Sequence, residues 1–231
     1  MAERLSALVA ARQQLLRDLS HELRSPLARL RMAVDLARQP GADPTRELER
    51  IEREGDRLER LIAQILEYAR LERDPATLER KPVDVVEILR QVIHDAEYES
   101  QSAPGRITLS ALAEIAELRA DPRLLHAAFD NVLRNALLHG GEGPIEIDLR
   151  DETTTVTVSI RDHGPGVPAA ELERIFEPFY RIHTEAVATP TGSGIGLAVA
   201  AKAVQLLGGT LVAENASDGG LRMTFTLPRN A

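Results

Sequence analysis

The 231-residue chain contains no cysteine and no tryptophan, and aromatic residues make up only 3% of it. Without thiols there is no disulfide framework, no thiolate metal site and no catalytic cysteine. With so few rings, the core must be built from Leu, Ile, Val and Ala. The six histidines, at 21, 94, 126, 139, 163 and 183, show none of the paired spacings of a zinc site. No apolar run reaches the roughly 20 residues needed to span a bilayer as a helix, and the start does not read as a signal peptide. A net charge of −8 leaves no basic footprint, so no nucleic-acid partner is expected. There is also no G-x-x-x-x-G-K-[ST] segment, which excludes a Walker-type phosphate loop.

Among the residues that are present, His21 stands out. Taking Leu16 as zero at about 100° per residue, Leu19, Leu23, Leu27, Leu30 and Val34 form one apolar stripe roughly 80° wide. His21 falls about 140° from Leu16 on this count, so its ring is expected outside the stripe. Glu22 is adjacent, and Pro26 removes a helical ladder bond, freeing the Glu22 carbonyl. An outward imidazole beside an acid and a weakened turn suits a nucleophile that meets a moving partner. An ordinary surface histidine at a proline kink has the same geometry.

The first helix is expected to end near Arg38. Pro40, Gly41 and Pro44 break it, with Asp43 able to cap the next helix. In the second helix Leu48, Ile51, Gly55, Leu58, Ile62, Ile65 and Ala69 form a heptad seam. Two such helices leave apolar surface uncovered, and pairing two hairpins into a dimeric four-helix bundle would cover it. A homodimer is therefore expected, the alternative being a monomer whose stripe packs against the second domain, with residues 1–74 as the hairpin, 75–82 as linker and 83–231 as a second domain. In that domain the pattern predicts a helix over 83–98, strands near 107–109 and 115–118, a helix over 122–139, and strands over 145–149 and 154–161. A helix near 197–207 and strands near 210–214 and 221–227 follow. The fold class is α+β, a helical hairpin followed by an α/β sandwich.

Four segments of the second domain point to a nucleotide. Asn131, Asn135 and His139 recur every four residues beside apolar Ala128, Val132 and Ala136, as in a pocket wall. An amide oxygen there suits Mg²⁺, a hard ion that prefers oxygen ligands, although the same stripe fits a solvated face. Asp162 continues the inward parity of Val156, Val158 and Ile160, which puts a carboxylate on the buried side, where it needs a partner. Such an acceptor suits the exocyclic amine of adenine. Gly164 and Gly166 allow close backbone approach. Gly192, Ser193, Gly194, Ile195 and Gly196 lead into a helix, where backbone N–H groups can crowd around phosphates, though glycine-rich turns are common. The polar stretch 181–191 before them is expected to act as a lid.

The stretch Leu19-Ser20-His21-Glu22-Leu23-Arg24-Ser25-Pro26-Leu27 resembles the H-box of the sensor histidine kinases of two-component signalling. Asn131 to Asn135 resembles that family's N-box, Asp162 to Gly166 its G1 box, Phe176-Glu177-Pro178-Phe179 its F-box and Gly192 to Gly196 its G2 box. The wording of both ends resembles the envelope-stress kinases of the Cpx type. The resemblance implies an ATP-binding domain of the GHKL (Bergerat) type and a catalytic set of His21, Glu22 and Ser25. His21 would take the γ-phosphate of ATP, and Ser25 would stand where the family orients a water for phosphatase action. It further implies nucleotide contacts from Asn131, Asn135, His139, Asp162, Gly164, Gly166, Phe176, Phe179, Arg181 and 192–197, ending at Leu197. Asn135 would be the ligand of Mg²⁺ and Asp162 the residue on adenine. A response-regulator receiver domain is the implied partner.

One departure is Leu138, where many relatives carry a lysine, which leaves Arg181 and Arg134 as substitutes toward the phosphates. Residues 1–5 look like the end of a HAMP linker, so a longer protein in a bacterial inner membrane is expected, with this part cytoplasmic. Two rival readings are a GHKL-type ATPase driving a clamp and a non-catalytic dimeric adaptor that binds nucleotide to set its shape.

Overall fold

The structure is a computed structural model that describes residues 2–39, 43–71, 78–100, 105–111, 115–182 and 192–229; of the side chains before Glu22, it describes only those of Arg17 and Leu19. The chain forms two compact units, Met1–Glu67 and Tyr68–Ala231.

The first unit is built on two helices, α1 (Ala2–Ala37) and α2 (Pro44–Leu71), with Pro26 inside α1. Asp43 caps α2, its Oδ1 accepting from the Thr45 N–H at 3.1 Å, as the sequence suggests. A two-pronged ion pair joins the helices: Arg29 Nε meets Glu54 Oε1 at 2.7 Å and Nη2 meets Oε2 at 2.9 Å. The expected α1 stripe is covered on one flank only. Pro26 and Ala33, about 80–100° to one side of Leu16, are buried, whereas Leu27, about 20° to the other side, is 45% exposed. In α2, Leu61 and Glu47 are buried on the side that carries Glu54, while Leu48, Ile62 and Leu66 stay exposed. Of the heptad seam, Leu48, Ile62 and Ala69 are exposed and Ile51, Gly55, Leu58 and Ile65 are half-buried, so none of it is fully covered within one chain.

The second unit begins one strand earlier than expected. Residues 81 and 82, read as linker, and 83–84, read as helix, form β1 (Lys81–Asp84), and α3 (Val85–Ser100) follows it. Asp84 makes this boundary: its Oδ1 accepts from Val86 N–H at 3.0 Å, capping α3, and from Ala116 N–H at 3.1 Å. β1 pairs antiparallel with β3 (Glu117–Ala120), so the strand expected at 115–118 lies two residues further on. The main sheet has five strands in the order β2-β4-β5-β7-β6. These are β2 (Ile107–Ala111), β4 (Ile145–Asp151), β5 (Thr155–Arg161), β6 (Thr210–Asn215) and β7 (Leu221–Pro228). Only β2–β4 is parallel, because a helix returns the chain between them.

That helix is α4 (Pro122–His139), and α5 (Gly196–Leu206) completes the helical layer. β5 and β7 alternate buried and half-buried residues, so one sheet face meets the helices, as in an α/β sandwich. The contact is direct at Phe129 of α4 and Phe225 of β7, whose rings meet edge to face at 5.0 Å. Val156, Val158 and Ile160 are fully buried in the same layer.

Candidate functional site

The polar stripe of α4 runs along the helix from a buried end to an exposed one. Asn131 is 7% exposed, and its Nδ2 donates to the Ala127 carbonyl at 2.8 Å. Its Oδ1 faces the start of α5, where a Cβ placed on Gly196 would lie 2.8 Å away. Asn135 is half-buried one turn on, and His139 is exposed in the last turn. Part of the His139 residue stays open to solvent, but protein packed around the imidazole displaces water and holds its pKa below the ordinary value, with the Asp162 charge pulling the other way.

Asp162 sits just past the end of β5, 5% exposed, on the inward parity read from the sequence. Its Oδ1 accepts from Gly164 N–H at 2.9 Å and from Leu221 N–H at 3.1 Å. No hydrogen bond reaches Oδ2 among the described residues. The turn after Asp162 packs backbone to backbone on the end of α4: a Cβ on Gly164 would lie 2.6 Å from the His139 carbonyl and 2.9 Å from Gly140 Cα. Gly166 takes φ +71°, a conformation that favours glycine.

The glycine-rich turn lies beside the same helix. Gly192 faces Leu138, 3.6 Å from a Cβ placed on the glycine, so the position without lysine does border this turn. Ser193 Oγ accepts from Ile195 N–H at 3.2 Å, and Ile195 is buried. Phe179 holds φ +63°, the one described non-glycine residue at positive φ, and its N–H donates to the Gly194 carbonyl at 2.8 Å. A Cβ on Gly194 would lie 2.8 Å from the Phe179 carbonyl carbon, so the two segments interlock. Phe176 is half-buried in the short 3₁₀ turn Arg174–Phe176, and Leu197 is half-buried in the first turn of α5.

Of the two arginines considered for the phosphates, Arg181 reaches the turn, its Nη1 donating to the Gly192 carbonyl at 3.1 Å. Arg134 does not. It is bound to Asp130 at 2.8 Å and to Glu99 of α3 at 2.5 Å, and these carboxylates raise its pKa further, so its charge is already spent.

In the first unit, Ser25 Oγ accepts from Arg29 Nη1 at 2.7 Å, which ties the hydroxyl to the Arg29–Glu54 pair. Glu22 is half-buried. The His21 ring and most of the expected lid, 183–191, lie outside the described residues.

Two features escaped the sequence reading. Gly220, at φ +88°, lies against the Asp162 backbone, too close for any side chain. Asn215, at the end of β6, bonds the backbone of Val167 through both atoms of its amide. The Gly219-Gly220 pair was a visible signal of a tight turn. Nothing in the local pattern marks Asn215.

Residues 11–74 match the His Kinase A (phospho-acceptor) domain family, and residues 120–231 match the Histidine kinase-, DNA gyrase B-, and HSP90-like ATPase family. The chain belongs to the histidine kinases. The sensor histidine kinase CpxA of Escherichia coli strain K12 is 33% identical over 99% of the chain, which covers 49% of that protein. The sensor protein PfeS of Pseudomonas aeruginosa is 37% identical over 95% of the chain, covering 48% of it. The chain thus spans about half the length of these curated relatives, and its likeness to the Cpx type is shared with PfeS. Among solved structures, histidine kinase ThkA in complex with response regulator protein TrrA aligns with a TM-score of 0.75 and 25% identity, over 99% of this chain and 64% of that one. The second unit therefore has the α/β architecture of the GHKL ATPases.

The described residues of the second unit include oxygen donors of the kind a hard cation on a nucleotide would use. No cluster of three His, Asp or Glu side chains able to cage a metal occurs among them. Mg²⁺ seldom uses such a cage; it is held by one or two oxygens, its own waters and the substrate phosphates. The buried Asn131 amide, whose Oδ1 faces the start of α5, and half-buried Asn135 one turn on supply oxygens of that kind. No described helix is long and apolar enough to cross a membrane.

Proposed function

We propose that the chain is the catalytic core of a two-component sensor kinase, which phosphorylates its own His21 from ATP and passes the phosphoryl group to an aspartate of a response regulator. What carries this reading is the presence in one chain of a phosphoacceptor-type hairpin and an ATPase-type unit whose polar stripe, Asp162 and glycine-rich turn gather around α4.

In this reading adenine is held by Asp162, whose free Oδ2 accepts from the exocyclic amine. The backbone of 192–196 and the N-terminus of α5 hold the phosphates. Asn135 would bind the phosphate-bound Mg²⁺, with Asn131 contacting the nucleotide one turn before it; the metal would lower the negative charge met by the nucleophile. One imidazole nitrogen of His21 attacks the γ-phosphorus in line. The N–P bond forms as the bond to the bridging oxygen breaks, and ADP leaves with that electron pair. Glu22 accepts or orients the proton on the other ring nitrogen, which keeps the attacking lone pair available. An aspartate carboxylate of the regulator then takes the phosphoryl group from the phosphoramidate. The TrrA-bound structure of ThkA supports a receiver-domain partner of this kind.

Two hairpins joined through Leu27, Met32, Leu48, Ile62 and Leu66 would form the dimer, supported by the exposure of these side chains. The whole protein would be anchored in a membrane with these residues on its cytoplasmic side; the relatives, about twice as long as the chain, leave length for such an anchor.

The test is incubation of the chain with γ-labelled ATP and Mg²⁺. Protein-bound label that is acid-labile and alkali-stable, lost in His21→Ala while nucleotide binding persists, is the expected result. Label retained by His21→Ala rejects the site, and phosphate release with no labelled protein favours an ATPase of the gyrase and Hsp90 kind.

A further inference from the structure

The turn that follows Asp162 is held at both ends by side chains. At its start Gly164 N–H donates to Asp162 Oδ1 at 2.9 Å. At its end Asn215 grips Val167 from both sides of one residue: Oδ1 accepts from Val167 N–H at 2.9 Å, and Nδ2 donates to the Val167 carbonyl at 2.6 Å. Among the described residues, these are the hydrogen bonds that fix the backbone of 164–167. The amide pairs with Val167 as a neighbouring strand would, which extends the edge of the sheet by one residue beyond β6. Gly166, at φ +71°, passes so close that a Cβ there would lie 2.7 Å from Asn215 Oδ1.

We infer that Asn215 is a positioning residue for the nucleotide: by clamping Val167 it holds the Gly164–Gly166 backbone in the one conformation that leaves room for adenine beside Asp162. This rests on the ATP-binding reading above. Asn215 does not touch the reacting atoms in this scheme. Its effect is to remove, before binding, the conformational freedom that a glycine-flanked turn would otherwise lose on meeting ligand. Glutamine is too long for the same grip, and aspartate lacks the donor to the Val167 carbonyl.

The test compares wild type, Asn215→Ala, Gly166→Ala and the double variant in the full chain. ATP affinity, KM for ATP and kcat of autophosphorylation, melting temperature and hydrogen exchange at the Val167 amide are measured. Asn215→Ala should raise KM and the ATP dissociation constant about three- to tenfold, the range for one net hydrogen bond, with kcat within about twofold and faster exchange at Val167. Gly166→Ala should be damaging in wild type and less so when Asn215 is already alanine, since its Cβ then has space. Unchanged ATP affinity in a folded Asn215→Ala that has lost protection at Val167 overturns the clamp alone. So do additive effects of the two substitutions. Failure of wild type itself to bind ATP overturns both the clamp and the reading beneath it.

Discussion

Asparagine and alanine at position 162 should have different consequences, because the two carboxylate oxygens do different things. Oδ1 accepts from two backbone donors, and Leu221 N–H is buried. Alanine strands them, at about 1–3 kcal/mol for a buried unsatisfied group, so Asp162→Ala should lower the melting temperature of the second unit. Asparagine can keep the Oδ1 acceptor but turns the Oδ2 side into a donor that opposes the adenine amine. Asp162→Asn should therefore melt near wild type and bind ATP at least about tenfold more weakly, a difference of roughly 1.4 kcal/mol, read by calorimetry. Equal ATP affinity in wild type and Asp162→Asn rejects the adenine assignment. His139 gives a pH signature at the same scale. Its pKa is lowered in the folded state, so the unfolded chain binds the proton more readily, and stability is fully present above the ordinary value of 6.5. Stability is lost as pH falls from there toward the folded value. Urea melts between pH 7.5 and 5.5 should show this slope, and His139→Gln should flatten it.

The element that organises the site is α4, which carries both amides and ends against the Asp162 turn. It starts at Asp121, only 1% exposed, which caps Arg123 N–H at 3.0 Å, pairs with the Arg123 guanidinium at 2.8 Å and accepts from Glu79 N–H at 3.3 Å. Arg123 is the main reason that the Asp121 carboxyl lies below the ordinary aspartate range, with burial opposing it. A depressed carboxyl adds stability above its unfolded pKa that is lost as pH falls through the folded value. Asp121→Ala should cost about 1–2 kcal/mol in denaturant melts, the range for a lost N-cap, and the loss should shrink toward acid pH. An undiminished loss at low pH would mean that charge plays no part. The limits of α4 were legible from Asp121-Pro122 and Gly140, which are local signals. β1 was not, because its reason is the long-range bond from Asp84 to Ala116, and a four-residue strand with a proline has no periodicity of its own.

At the scale of the whole molecule, the first unit leaves apolar side chains without cover. Leu48, Ile62 and Leu66 are each about half exposed along one side of α2, and Leu27 and Met32 are similarly open on α1. The proposed dimer would bury them. Ile62→Glu should raise the dimer dissociation constant by about two orders of magnitude, since roughly 3 kcal/mol follows when an unpaired charge replaces a buried apolar group. Sedimentation equilibrium measures this, and an unshifted constant would mean that the interface lies elsewhere. The second unit should keep its ATP affinity in that variant.

Composition, periodicity and short motifs determined the two-part architecture, the helix and strand sequence of the sheet domain and the residue types able to meet a nucleotide. These depend on neighbours within a few positions, which any chain carries along its length. Tertiary structure alone decided that Arg134 is spent on Glu99 as well as on Asp130 one turn away, that Arg29 pairs with Glu54 across the hairpin, and that the α1 stripe is covered on one flank. It also decided that Asn215, far along the chain, closes the turn after Asp162. The reason is physical: a hydrogen bond or ion pair between distant residues requires the fold to bring them within about 3 Å, and no local pattern encodes that distance.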